Sequence, residues 1–273
     1  MSKKKQSYTT GFNQLAHAKH GTLLYNENDK FIGKSIKTYG EFSELENALF
    51  EQFVKEGDVV VEVGSNIGAH TIALSKMVGS KGVVFAYEPQ RIVFQTLCAN
   101  LALNSITNVI ANQVALSNEQ GEVLIPDIDY TKEANYGGVN VEQFKEGFPI
   151  PKLTLDDSLK LKQLKFLKID VEGMELQVLE GATQTIQKHR PLLYIENDRQ
   201  DKSQALIEKI WELEYEIYWH LPALFNADNF AKHKENLFGN IVSVNMLAIP
   251  KELKINIEHF VKVEESDFHP MKK

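Results

Sequence analysis

The chain has 273 residues and a single cysteine, Cys98. That excludes an internal disulfide framework and any zinc site built from several thiolates. Cys98 lies in the run FQTLCANL, where a small buried residue on a helix is the expected role. Positive charge is also short: 30 Lys and Arg against 37 Asp and Glu leave a formal net charge of −7. Neutralising phosphates calls for clustered Lys and Arg, so no nucleic-acid partner is expected. The only basic run, Lys3-Lys4-Lys5, sits at a terminus and reads as a solvated tail. No apolar stretch approaches the roughly 18 residues that a membrane span needs, and no signal-peptide pattern precedes the fold. A cytoplasmic protein is the expectation. Internal repeats and low-complexity segments are absent as well.

What is present is an alternation. DVVVEVG, GVVFAYEP, NVIANQVAL, FLKIDVEG and PLLYIEN are short runs rich in Val, Ile, Leu and aromatics. Between them, GAHTIALSKMV, RIVFQTLCANLALN and GMELQVLEGATQTIQKH repeat apolar residues at three- and four-residue steps. Continuous apolar strands separated by amphipathic helices predict a parallel sheet covered on both faces, a doubly wound α/β domain. The tail departs from this rule. After the helix SQALIEKIWELE, the strands YEIYWHL and SVNMLAIP follow without an intervening helix and are expected to pair antiparallel at a sheet edge. Ahead of the sheet, GTLLYNENDKFIGKSIKTYG reads as a hairpin turning around Asn26 to Asp29. EFSELENALFEQF then places Phe42, Leu45, Leu49 and Phe53 on one helical face. Residues 1–50 are thus expected to form a tail and packing cap, residues 51–250 the main domain, and residues 251–273 an extension. A long connection over residues 127–150 contains NYGGVNV, and long loops in compact domains are often functional.

In an open parallel sheet, ligands lie beyond the carboxyl ends of the strands. Five features fall there. The turn Gly64-Ser65-Asn66-Ile67-Gly68 lets backbone approach a ligand and opens a helix whose free N–H groups point at it. Glu88 follows Gly64 at about the 20-residue offset at which an acid meets ribose hydroxyls. An ionised carboxylate only accepts hydrogen bonds, so it suits a diol and repels a 2′-phosphate. Ala115, at the next strand end, is placed to lie against an adenine ring. Asp170 and Glu196 end the two following strands, where packing does not explain a carboxylate. A nicotinamide dinucleotide would prefer G-x-G-x-x-G, whose second glycine makes room for the pyrophosphate. Here that place is Asn66. S-Adenosylmethionine shares the adenosine but has no pyrophosphate, so it is the expected cofactor.

With these residues located, the chain resembles the FkbM-type family of S-adenosylmethionine-dependent methyltransferases. The matching segments are VVVEVGSNIGAHTIALS, VFAYEPQ, LKIDVEGMELQVLEGA and LLYIENDR…YWH…SVNMLAIP, within roughly residues 33–250. The resemblance implies a class I methyltransferase (Rossmann-like) fold of seven strands, the last two an antiparallel hairpin. It also implies that Glu62 lies near the methionine part of the cofactor, where many relatives carry Asp. Gly64, Asn66 and Gly68 pass beneath the cofactor, and Glu88 binds its ribose. The acceptor would be a hydroxyl on a sugar, glycan, glycolipid or related small metabolite. A neutral hydroxyl needs a base, and the candidates are Asp170 or His220, with Glu196 as orienter or alternative. No metal is expected, although Asp170, Glu196 and Asn197 could form an oxygen-only Mg²⁺ set. Tyr136 and Asn140, or Trp219, Phe225 and Phe230, could line an acceptor pocket. His70 reads as helix-start packing, while His17, His20 and His233 lack metal-ligand spacing and read as surface groups. The rivals are a nicotinamide-dependent oxidoreductase and a non-catalytic module that keeps the fold.

Overall fold

The computed structural model describes residues 11–140, 144–255, 257 and 259–272. The chain enters through an antiparallel hairpin, β1 (Asn13–Ala18) and β2 (Gly21–Asn26), followed by helices α1 (Ile32–Tyr39) and α2 (Glu44–Phe53). Strand–helix alternation then runs β3 (Val59–Val63), α3 (Ala69–Val78), β4 (Val83–Tyr87), α4 (Arg91–Leu103) and β5 (Val109–Asn112). Three short strands follow, β6 (Ala115–Leu116), β7 (Gly121–Ile125) and β8 (Phe148–Leu153), and then α5 (Leu155–Ser158). The main sheet resumes with β9 (Phe166–Ile169), α6 (Glu175–Glu180), α7 (Thr183–His189), β10 (Leu192–Glu196) and α8 (Gln200–Glu212). It closes with β11 (Tyr215–His220), β12 (Asn245–Pro250) and β13 (Val261–Lys262).

The eight-stranded sheet has the order β13-β11-β12-β10-β9-β3-β4-β5. Strands β5, β4, β3, β9 and β10 are parallel, whereas β12 is antiparallel to both β10 and β11. Among the described residues this is the class I methyltransferase order with one short strand added at the edge. Strand order reverses direction between β3 and β9, so ligands are directed to the carboxyl ends of those strands. Leu167, Ile169, Leu193 and Ile195 bury one sheet face against α6, α7 and α8. Val60, Phe166 and Tyr194 bury the other against α2 and α3.

The structure corrects several local expectations. The hairpin turns at Lys19-His20, and the polar run at Asn26 to Asp29 instead leads into α1. The buried face of α2 carries Glu46, Asn47, Leu49 and Phe50, while Leu45 is exposed and Phe42 precedes the helix. Phe50 fixes that phase, because its ring packs on Tyr194 at 4.9 Å and on Phe166 at 5.2 Å. NVIANQVAL splits between β5 and β6, which belong to different sheets, since β6, β7 and β8 form a sheet of their own. GMELQVLEGATQTIQKH breaks into α6 and α7 at Gly181, where a Cβ would overlap the Ser117 carbonyl. Cys98 is exposed on α4 rather than buried.

The cap is held by two asparagines of α4. Asn100, fully buried, accepts the Leu24 N–H (2.6 Å) and donates to the Leu24 and Ile67 carbonyls (3.0 and 2.8 Å). Asn104 accepts the Thr22 N–H (2.9 Å) and donates to the Thr22 carbonyl (2.7 Å). Their amides thus pair with β2 as a neighbouring strand would. Asn100→Ala strands three backbone groups, and buried unpaired groups are expensive. We expect a loss of roughly 2–3 kcal/mol in urea unfolding. An unchanged midpoint would mean that the hairpin is docked by its apolar face alone.

Candidate active site

The ends of β3, β4, β9 and β10, with α2 and the loops before β12, enclose a cleft of about 420 Å³. Its floor is the turn after β3. Gly64 adopts a φ of 83° there, and a Cβ would overlap the Asp170 carbonyl of β9, so only glycine lets the two strand ends close together. Asn66 also has positive φ, 50°, which Asn tolerates better than most residues. Gly68 caps α3 at φ 87° and sits behind the turn against Leu97, outside the cleft lining.

Glu88 faces this turn from the end of β4. Its two oxygens accept the Asn66 N–H (3.0 Å) and the Gln90 N–H (2.8 Å), which fixes the carboxylate at the cleft wall. Burial raises it to about 7 against those N–H donors, and the Asp170 and Glu62 charges add to the rise. Ala115 and Leu116 of β6 line the same end, so the small separate sheet supplies part of this wall. Gln90 lies here too. Its Nε2 donates to the Tyr136 carbonyl (3.0 Å), whereas its buried Oε1 has no partner among the described residues.

The opposite end is acidic. Lys168, fully buried within β9, extends its amine to Asp170 Oδ2 at 2.8 Å. Burial alone would lower this lysine, but Asp170, Glu62 and Glu46 together hold it above the usual range. Glu62 lies beneath the turn, buried, with one oxygen accepting from Thr71 Oγ1 (2.5 Å) and the other without a hydrogen-bond partner among the described residues. Burial raises it to about 7, with Lys168 opposing. Glu172 meets Arg199 at 2.6 Å. Glu196 is raised well above the carboxylate range by burial and by the neighbouring Asp170, Glu172 and Asp198. Oxygens of Asp170, Glu172 and Glu196 come within 4.8 Å of one another, a separation a divalent cation could bridge. Lys168 and Arg199 already bond two of the three.

Of the expected site residues, Gly64, Asn66, Glu88, Ala115, Asp170 and Glu196 come together around one cleft, while Glu62, buried within β3, does not line it. His220 does not join them. It ends β11, two strands beyond β10, where its ring stacks on Phe260 and its Nδ1 meets the Tyr194 hydroxyl at 2.8 Å. It lines a separate groove, and burial lowers it to about 4. Asn197 turns its amide to Ser203 and the Met246 sulfur instead of the acidic trio. Tyr136 contributes its carbonyl but buries its ring behind the loop, while Asn135, Gly137, Gly138 and Val139 face the cleft. Trp219, Phe225 and Phe230 pack elsewhere, on His269, Tyr39 and His17. His70 is buried at the start of α3, as expected, but it also lines the cleft.

A family model, the methyltransferase FkbM domain, matches residues 62–217, more than half of the chain. The chain belongs to the FkbM methyltransferase family. It is similar to the hexuronic acid methyltransferase AglP of Haloferax volcanii, at 32% identity over 133 residues, which are 49% of this chain and 53% of that protein. It is also similar to Methyltransferase 1 of Beauveria bassiana, at 28% identity over 143 residues, 45% of this chain and 57% of that one. The chain thus matches little more than half the length of these relatives. A solved methyltransferase FkbM from Methylobacillus flagellatus KT aligns with 74% of this chain and 50% of its own, at 19% identity and a TM-score of 0.49.

The cofactor of FkbM methyltransferases is S-adenosylmethionine, and the residues present fit it. Gly64 leaves the floor open, Glu88 offers a fixed acceptor to a diol, and Gln90 Oε1 is an unused buried acceptor beside Ala115, suited to an adenine amino group. Motif reasoning missed Lys168, Gln90, Glu46 and Asn245. Lys168 had a usable signal, since an ionisable residue inside the buried run FLKI is as anomalous as one at its end.

A diol bound at Glu88 would favour its ionised form, whereas burial holds its proton up to about pH 7. Binding therefore releases a proton below that point. S-Adenosylhomocysteine affinity should rise about tenfold between roughly pH 6 and 8 in calorimetry. Glu88→Ala should weaken binding by at least about tenfold and flatten the profile. A flat wild-type profile would remove Glu88 from ribose binding.

Proposed function

We propose that the chain transfers a methyl group from S-adenosylmethionine to a hydroxyl oxygen of a sugar or glycan. The observation that carries this is the chemistry of the acceptor end. Glu46, Asp170, Glu172, Glu196 and Asp198 line it, and its two cations, Lys168 and Arg199, are committed to Asp170 and Glu172. Such a wall accepts hydrogen bonds from a polyhydroxyl compound and repels an anionic oxygen nucleophile. It is also the wrong surface for a nucleic acid. The similarity to a hexuronic acid methyltransferase supports a carbohydrate acceptor.

The bound cofactor supplies an electrophilic methyl on a sulfonium. The chain's own task is alignment, which can lower a barrier by several kcal/mol when the reacting atoms are held in line. Gly64, Asn66 and Glu88 hold the donor side. Asp170 and Glu196 sit at the ends of adjacent strands, where each can accept from or orient acceptor hydroxyls. Burial and the neighbouring Asp170, Glu172 and Asp198 push Glu196 up, which suits it to orienting a hydroxyl more than to taking its proton. No metal enters this scheme, so excess chelator should leave turnover unchanged. Loss of activity restored by Mg²⁺ would instead assign the Asp170, Glu172 and Glu196 oxygens to a cation.

Neither rival is favoured. A nicotinamide dinucleotide would need its pyrophosphate where Asn66 places a side chain at the cleft floor. A decayed site would have no reason to keep buried polar atoms such as Gln90 Oε1 and Glu196 Oε2, which have no hydrogen-bond partner among the described residues.

The test is a labelled-methyl assay over hexuronic acids, their methyl glycosides and neutral glycosides. We expect label in an alkali-stable ether, with Asp170→Asn, which weakens the Lys168 pairing and the orientation of the acceptor, lowering kcat/KM about tenfold. Label released by mild alkali would mean esterification of a carboxylate and would overturn the hydroxyl assignment.

A further inference from the structure

The helix that precedes the methyltransferase sheet delivers a carboxylate into the acceptor end of the cleft. Phe50 anchors α2 on Phe166 and Tyr194, and Glu46 lies one turn earlier on the same face. Glu46 is 4% exposed, yet it lines the cleft. A carboxylate at this depth is not explained by packing, because it displaces apolar contact and must be desolvated. Its surroundings come from four elements. Lys168 and Asp170 face it from β9, Tyr194 from β10, and His70 Nε2 from α3 at 3.7 Å. The Ser243 side chain, just before β12, hydrogen-bonds to it, and Asn245 faces it from the first residue of β12.

Two of these neighbours bear on chemistry. His70 Nδ1 meets Asn47 Oδ1 at 2.9 Å, an arrangement in which Nδ1 carries the hydrogen and Nε2 keeps its lone pair towards Glu46. Burial and the Lys168 charge hold that ring neutral, so it does not neutralise Glu46. The Asn245 Nδ2 group is buried, lines the same cleft and has no hydrogen-bond partner among the described residues. Glu46 and Asn245 thus stand side by side at the cleft, an acceptor and a donor that together match one hydroxyl, which both donates and accepts.

We infer that Glu46 and Asn245 form the acceptor subsite, and that Glu46 takes the acceptor hydroxyl's proton as the methyl group is transferred. This rests on the methyl-transfer reading above. The O–H bond breaks, its proton passing to a Glu46 oxygen. The oxygen forms its bond to the methyl carbon as the carbon–sulfur bond breaks, and that bonding pair stays on sulfur, which becomes a neutral thioether. Of the other carboxyls, Asp170 is bonded to Lys168, and Glu196 lies among Asp170, Glu172 and Asp198, whose charges and its own burial oppose its ionisation. Burial raises Glu46 to about 7, with Lys168 opposing, so it is a stronger base than a solvated carboxylate while still ionising near neutrality.

The experiment uses the full chain and the glycoside panel above with wild type, Glu46→Gln and Asn245→Ala. Each variant is also titrated calorimetrically with S-adenosylhomocysteine. We expect Glu46→Gln to keep its S-adenosylhomocysteine Kd within about twofold. Its kcat/KM should fall at least about 100-fold, and the wild-type rise in kcat/KM through about pH 7 should disappear. Asn245→Ala should mainly raise the acceptor KM. An infrared titration with bound S-adenosylhomocysteine should show a buried carboxyl ionising near neutrality that Glu46→Gln lacks. Near-normal turnover of Glu46→Gln would overturn the inference, as would a weakened Kd with kcat intact, which would place Glu46 on the cofactor. Failure of wild type to methylate any panel hydroxyl overturns both readings, which separates that outcome from a failure of Glu46 alone.

Discussion

Lys168 is the charge on which the acidic end of this cleft depends. Its amine is buried inside a parallel sheet, a position that would normally strip a lysine of its proton. Glu62 beside it on β3, Asp170 two residues on and Glu46 from α2 reverse that outcome. The stabilisation is mutual. Without the ammonium, three carboxyls in a shared low-dielectric space would protonate rather than repel one another. With it, Asp170 keeps a fixed partner at 2.8 Å, and the remaining carboxyls are left near the point where they can exchange a proton.

The second constraint is geometric, and it joins the cap to the sheet. Asn100 bonds β2 and, through the Ile67 carbonyl, the cofactor turn. Phe50 fixes α2 on β9 and β10, so Glu46 arrives at Lys168 with no freedom to drift by a turn. The residues before β3 are therefore part of the cleft wall, alongside Phe31, Ile32 and Phe42. A packing role and a functional role coincide on one helix.

Much of this was legible in the sequence because the interior strands are continuous apolar runs and their ends carry polar residues that packing does not explain. That logic singled out Asp170 and Glu196, and spacing from the glycine turn singled out Glu88, all of which the structure gathers at one cleft; the antiparallel tail followed from two strands without a helix between them. The cap was not legible in the same way. Phe42, Leu45, Leu49 and Phe53 satisfy a helical period, but Phe50 and the buried Glu46 and Asn47 occupy the face that faces the sheet. Polar residues on a buried face defeat hydrophobic periodicity. His220 failed for another reason: chemistry suited it, but its distance from the switch point depends on strand order, and Phe260 from the chain's last segment covers it.

The central claim is that the turn from Gly64 to Gly68, with Glu88, is built for an adenosyl sulfonium cofactor and not for a pyrophosphate. Calorimetric titration of the wild-type chain with S-adenosylhomocysteine and, separately, with NAD tests this most directly. The account predicts saturable one-to-one binding of S-adenosylhomocysteine and no heat of binding from NAD. Binding of NAD in preference to S-adenosylhomocysteine would contradict it.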